Sequence, residues 1–369
     1  MRIVGFGTYD RDNHPRAAIL LDGLSQLGDE VAELNVTLDL STEQRVAMLA
    51  RPWLAYRLVL RLFQCWASLV GRRFRSWRSP DAVLVGYLGH FDVILARLLF
   101  PRTLIVLDLL VFATDTAVDR GVRSWLTLRL LHLVDLVAIT CASLVMVSTE
   151  QDIWLLPKRY RAKAVVVPIG SPEEWFAEPA DIPFDKGLRV VFFGTFSPLQ
   201  GAPVIAEAIS QLDPDTPVAL TMIGTGQDFE RTQRIVANDP RLTWIPWTTP
   251  SNLMALVREH HICLGVFGDT QKALRVTPNK VFQGAAAGCA IVTSDTAAQR
   301  DALGTAGIFV PPGDPAALAQ VLRSLVDHPE EVSEQRALAY QIADQAYRPE
   351  VVAKPLREVL MRMLPRAVR

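Results

Sequence analysis

Three loops in the C-terminal half of the sequence share a build that suits a diphosphate. "FFGTFSPLQG" runs from an apolar strand through Gly194 and a short polar loop to Gly201 and a helix. "MIGTGQDFE" repeats the plan with Gly224 and Gly226. "TPNKVFQ" starts a third helix with Asn279 and Lys280 at its mouth and Gln283 one turn on. Glycine at a strand end lets the backbone approach a ligand, and a helix start offers free N–H groups. Each loop alone is equally an ordinary chain reversal. Together they open toward one sheet edge, where Lys280 is a cation already in place. A helix N-terminus favours an anion by about 0.3–1 kcal/mol, and a charge-assisted hydrogen bond adds about 1.5–3 kcal/mol. "GFGTYDRDNHPR" sets Gly5 and Gly7 at the first such handover, either as a ligand loop or as a plain tight turn. Dinucleotide spacing would require a third glycine where Asp10 stands, which disfavours a dehydrogenase.

Polar residues at strand ends in the N-terminal half are the other candidates. "YLGHFD" offers His90 and Asp92, and "VLDLLVFATDTAVDR" offers Asp108 and Asp115. An acid among apolar neighbours has its pKa raised by desolvation unless a cation pairs with it. Such a group can hydrogen-bond a substrate hydroxyl, or it can simply cap a helix or loop. His14 in the first loop is open in the same way. No metal site is expected: Asp213–Asp215 reads DxD but falls in a proline-bearing turn. His260 and His261 end a helix, where compensation of the helix dipole is the simpler role. The four cysteines are scattered without metal-ligand spacing, as expected of buried thiols in a reducing cytoplasm.

These residues need a scaffold, and strand–helix alternation supplies one. "RIVGFG", "DAVLVGY", "TLIVLDL", "LVMVS" and "AVVVPIG" are expected strands of a first parallel sheet. After the proline- and acid-rich "GSPEEWFAEPADIPFDKG" the pattern restarts with "LRVVFFG", "VALTMIG", "LTWIP", "ICLGVF", "AIVTSD" and "GIFVPP". The expected organisation is a first Rossmann-like domain over 1–172, a linker over 173–187, a second domain over 188–346, and a C-terminal helix over 347–369 returning to the first. A ligand would sit in the cleft at the strand carboxyl ends. With 369 residues, half of them hydrophobic, and a net charge of -1, the chain reads as a folded soluble protein. No basic excess exists to neutralise nucleic-acid phosphates. Residues 1–5 enter a strand directly, which leaves no room for a signal peptide, and the expected location is cytoplasmic. One stretch departs from this balance. No acid falls between Gln44 and Pro80, while Arg45, Arg51, Arg57, Arg61, Arg72, Arg73, Arg75 and Arg78 accumulate among Trp53, Phe63, Trp66, Phe74 and Trp77. Residues 51–78 are either a basic aromatic helix lying on an anionic inner-membrane surface or a helix covering the first sheet.

The order "FFGTFSPLQG", "MIGTG", "PNKVFQGAAAGCAIVTSD" resembles the donor domain of retaining GT-B glycosyltransferases of family four. "NHPRAAILLDGLSQLG", "VGYLGHFDV" and "LDLLVFATDTAVDRG" extend the likeness over nearly the whole chain. The resemblance implies an α/β GT-B fold and transfer of a sugar from a nucleotide-sugar to an acceptor hydroxyl, with retention. It implies no metal or cofactor, the departing phosphate helping to deprotonate the acceptor. The acceptor would be a small molecule or lipid-linked. With the loop and strand-end reading above, the candidate donor residues are Gly7, Gly194, Thr195, Gln200, Gly224, Gly226, Arg275, Asn279, Lys280 and Gln283, and the candidate catalytic residues are Asp108, Asp115 and His90. The departures concern the donor site. Thr195 and Gln200 stand where the family has Arg and Lys, and Arg275 and Gln283 replace a pair of glutamates. Arg275 and Lys280 would then compensate for the missing cations. Alternatively the donor site has decayed and the chain is a non-catalytic subunit that activates a partner.

Overall fold

The computed structural model describes residues 1–11, 14–38, 55–76, 79–87 and 89–364. They divide into two compact units, Met1–Val118 with Val122–Pro168 and Pro349–Arg369, and Asp119–Gly121 with Ile169–Arg348.

In the first unit β1 (Arg2–Gly7), β2 (Glu30–Asn35), β3 (Ala82–Val85), β4 (Leu104–Asp108), β5 (Leu144–Val147) and β6 (Ala164–Val166) form one parallel sheet. Its order is β2-β1-β3-β4-β5-β6. The central strands are apolar throughout because both faces are covered. Side chains alternate: Val4, Phe6, Val83, Val85, Ile105 and Leu107 enter one core, while Ile3, Leu84 and Val106 enter the other. The second core is closed by the helices Arg16–Gln26 and Pro349–Met363. The C-terminal helix packs so closely there that a Cβ on Gly23 would strike the Pro349 carbonyl. Arg357 adds an ion pair to buried Asp29 at 2.8 Å.

The first core is closed by the helices Ala55–Ser76, Asp92–Leu99 and Trp125–Cys141. The basic aromatic segment is therefore a sheet cover on one side, with Leu69 buried and Trp66 packed against the core. Tyr56, Val59, Leu60, Phe63 and Phe74 of the same helix are exposed. Arg45, Arg51, Trp53, Trp77, Arg78 and the side chain of Arg57 lie outside the described residues.

In the second unit β7 (Leu188–Phe193), β8 (Val218–Ile223), β9 (Leu242–Ile245), β10 (Ile262–Leu264), β11 (Ala290–Ser294) and β12 (Gly307–Val310) form another parallel sheet. Its order is β12-β11-β10-β7-β8-β9. The strand order reverses between β7 and β10, and in the first unit between β1 and β3. At such reversals the loops leaving adjacent strands diverge and open a crevice for ligands. Gly194 leaves β7, and the helix Asn279–Ala286 lies on the chain leaving β10.

Candidate active site

The residues before the helix Asn279–Ala286 are held from the side. Thr277 Oγ1 donates to the Ala298 carbonyl at 3.0 Å, and Gln299 Nε2 donates to the Val276 carbonyl at 3.0 Å. Pro278 then turns the chain into the helix with φ -77° and ψ 158° and no side-chain cap. The first turn thus presents Lys280 toward the reversal point. Lys280 is 4% exposed, and among the described residues its Nζ has no hydrogen-bond partner. It sits 3.5 Å from the centroid of the Phe192 ring, whose negative face offsets only part of the lost hydration. Desolvation depresses the ammonium pKa to about 7. At neutral pH this lysine is balanced between charge states, and a nearby anion would draw it to the charged one.

Gly194 forms the other wall. Its φ is +127°, and among the described residues a Cβ there would find within 4 Å only Lys280 Cε and Nζ, each at 3.6 Å. Gly224 and Gly226 have a different reason for being glycine. A Cβ on Gly224 would collide with the Gly194 carbonyl, and one on Gly226 would lie 2.6 Å from the Phe196 carbonyl. The two loops are also joined by hydrogen bonds from Phe196 N to the Thr225 carbonyl and from Asp228 N to the Phe196 carbonyl, each 2.9 Å. Gly224 and Gly226 also let one loop pack against the other. Gly7 is also close-packed. It lies in the first unit, where a Cβ would come within 2.8 Å of Asp92 Oδ2.

The remaining donor candidates surround this core. Thr195 and Asn279 are half-buried, Gln283 is 9% exposed, and Gln200 Oε1 is buried without a partner among the described residues. Arg275 ends a short 3-10 turn, half-buried, with Nη1 donating to the Gln271 carbonyl at 2.9 Å.

The first-unit candidates separate into two groups. Asp108 is 2% exposed and accepts from Arg16 Nε at 2.9 Å. The same guanidinium donates to the carbonyls of Val167 and Pro168, each at 2.9 Å. Burial pushes the Asp108 carboxyl up, against the opposing pull of Arg16. Asp108, a candidate for the acceptor side, ties helix 16–26 to β4 and the end of β6, because its burial is matched by a cation.

His90 and Asp115 both border Asp135. His90 Nε2 lies 3.0 Å from Asp135 Oδ1. The Asp135 carboxylate also accepts from Ala113 N, Thr114 N and Thr114 Oγ1, so it caps the helix Ala113–Asp119. Burial acts to raise its pKa, but the hydrogen bonds from His90 and from that helix start outweigh burial and hold it below the usual range. Asp115, His132 and Asp135 line a mostly apolar pocket of about 270 Å³ with Phe112 and Leu155. Asp135 was visible in the sequence only as an acid interrupting "LLHLVDLVAI"; its partners come from distant segments. Asp92 accepts from Thr8 N at 2.7 Å, Thr8 Oγ1 at 2.8 Å and Trp66 Nε1 at 2.8 Å, bracing the β1–β3 reversal. His14 rests on the Tyr87 ring, their centroids 4.0 Å apart.

His260 and His261 are also corrected. Burial lowers both pKa values, so each is neutral rather than a cation at a helix end. They serve by hydrogen bonds to the Leu256 carbonyl and Thr221, and to Arg189 N and the Ile182 carbonyl. Asp213–Asp215 is an exposed turn, and no group of three or more potential metal-holding side chains occurs among the described residues.

A loop at a β7/β10 reversal, a glycine facing a buried lysine and two mutually packed glycine loops describe a Rossmann-like unit. Residues 187–328 match the family model described as glycosyl transferases group 1. They form a group 1 glycosyltransferase domain. No curated protein sequence matches the chain. Solved structures do match, over both units. Sucrose-phosphate synthase from Thermosynechococcus elongatus is 14% identical with a TM-score of 0.73, covering 98% of each chain. Anabaena Alr3699/HepE in complex with UDP-glucose is 13% identical, TM-score 0.69, over 98% of this chain and 100% of that one. The trehalose-6-phosphate synthase OtsA is 15% identical, TM-score 0.67, over 99% and 100%. At these identities the likeness establishes the fold, the two-Rossmann GT-B architecture. The glycosyltransferase domain thus contains Lys280 and every donor candidate except Gly7.

Proposed function

We propose that this glycosyltransferase moves a sugar from a nucleoside diphosphate sugar to an acceptor hydroxyl, with retention and without a metal. The observation that carries the reading is Lys280, a buried ammonium without an anion at the strand-order reversal, facing Gly194. A diphosphate at that point would accept its charged hydrogen bonds, with the uncapped start of helix 279–286 adding N–H donors. The neighbour HepE was crystallised with UDP and with UDP-glucose, and a uridine diphosphate donor is the corresponding choice for this chain. In the reaction the bond from the donor anomeric carbon to the diphosphate oxygen breaks, and the acceptor oxygen bonds that carbon. The acceptor proton passes to the departing phosphate. Gln283 would hold a ribose hydroxyl through its amide oxygen. His90, oriented by Asp135, and Asp115 would serve the acceptor. The basic side of helix 55–76 would bring a lipid-linked acceptor within reach on an anionic membrane.

A second reading, a non-catalytic subunit, is favoured by Arg275 and Gln283 standing where the family has glutamates. Titration calorimetry in EDTA separates the proposals. Uridine diphosphate binding that survives chelation supports the metal-free donor site, and a strict requirement for Mg²⁺ or Mn²⁺ removes it. Donor binding without sugar transfer to any acceptor would favour the second reading.

A further inference from the structure

Fifteen of the 18 exposed large hydrophobic side chains among the described residues lie between Tyr56 and Leu155, all in the first unit. The helix Trp125–Cys141 is the densest source. It buries Asp135, Ala138 and Ile139 against the sheet and turns Leu126, Leu130, Leu133 and Val137 outward. Their spacing of four, three and four residues makes one continuous stripe on the side where a helix in water carries polar residues. Trp125 at its start is 66% exposed, and Trp154 is 71% exposed. Each indole carries a guanidinium on its face, Arg129 at 5.0 Å and Arg161 at 4.5 Å.

We infer that the outer face of helix 125–141, with Trp154, docks on an anionic lipid bilayer by inserting its apolar stripe at the boundary of headgroups and acyl chains. Charge complementarity selects that occupant. From residue 55 to 163 the chain has 15 Lys and Arg against eight Asp and Glu. Four of those acids, Asp92, Asp108, Asp135 and Asp152, are buried. The outward charge is therefore strongly positive, whereas the whole chain carries -1. An indole with an arginine on its face suits the headgroup level, apolar body inward and cation toward phosphate. No helix among the described residues is long and apolar enough to cross a membrane, so the stripe lies in the interface plane. Helices 55–76, 92–99 and 125–141 form one layer on the same core, so the basic helix and the apolar stripe belong to one face of that unit. The inference rests on the bilayer reading of the basic helix and adds to it the element that penetrates.

Vesicles of phosphatidylcholine, with and without phosphatidylglycerol, test it on the full chain. Binding should need the anionic lipid and fall with salt. Lipids brominated on their acyl chains should quench bound protein, and Trp125→Phe with Trp154→Phe should remove most of that quenching. Leu130→Glu with Leu133→Glu should weaken vesicle binding about tenfold or more, while circular dichroism and uridine diphosphate binding stay unchanged. If that pair leaves vesicle binding intact but Arg61→Gln with Arg75→Gln weakens it, the basic helix acts alone and the stripe is not the docking element. Indoles that stay unquenched on bound protein would likewise exclude insertion of the stripe. A wild-type chain that ignores both vesicle types overturns both readings. If sedimentation velocity shows a dimer that the glutamate pair dissolves, the stripe meets a second copy instead.

Discussion

Lys280 is the residue whose chemistry is most open to test. A buried ammonium without a counter-ion is costly, and its depressed pKa expresses that cost. Below about pH 7 the group is charged in both folded and unfolded chains, so the folded state bears the full penalty. Between about 7 and the ordinary 10.5 the unfolded chain holds the extra proton, so stability rises with pH across that window. Lys280→Met should abolish that rise in urea denaturation series and make the ligand-free protein more stable. Diphosphate binding must have the opposite dependence. Affinity should fall as pH climbs from 7 to 9, with nearly one proton taken up per complex at the upper end. Calorimetry in buffers of different ionisation enthalpy measures that uptake. Lys280→Ala should remove a charged hydrogen bond, about 1.5–3 kcal/mol, and weaken binding roughly 10- to 150-fold. An unchanged affinity in a folded variant would reduce the lysine to a packing residue. Two glycines offer a control: both have positive φ, so alanine strains either backbone, but Gly224→Ala should lose more stability, since its methyl also meets the Gly194 carbonyl, while Gly194→Ala should add a loss of binding.

At the scale of elements, the buried Arg16–Asp108 pair joins one helix and two strands of the first unit. Asp108→Asn leaves the arginine buried opposite a neutral amide. Removing one partner of such a pair costs about 3–5 kcal/mol, so a clear drop in thermal midpoint is expected. Any loss of transfer activity should then track the folded fraction. Asp115→Asn, on a half-exposed helix, should leave the midpoint nearly unchanged, and a drop equal to that of Asp108→Asn would contradict this division of roles. The strands themselves were legible because continuous runs such as "AVLV" and "LVMV" are buried on both faces. β2 was less so: at the sheet edge its "EVAELN" keeps two glutamates, which protect an open edge and blur the pattern.

For the whole molecule, ligand binding and folding are linked. A ligand at 100 times its Kd raises stability by about 2.7 kcal/mol. Uridine diphosphate in EDTA should therefore raise the thermal midpoint, and uridine alone should not. A shift seen only with added divalent cation would refute the metal-free site. The two units also differ in surface. The second gathers all but one of the donor candidates, and the first carries most of the exposed large hydrophobic side chains among the described residues, a division expected if one unit holds a soluble donor and the other meets an acceptor at a membrane.

From the residues alone one could read two parallel sheets, the succession of glycine loops and the lysine at a helix start, since each follows from local periodicity and backbone freedom. Tertiary packing decided which of those residues can act. Gly194 and Gly224 look alike along the chain, yet one faces an ammonium and the other a carbonyl. Asp108 and Asp135 are both acids in apolar runs, yet one meets Arg16 and the other His90 and a helix start. Arg16 and His90 lie 92 and 45 residues away, and only the folded chain brings them within 3.0 Å.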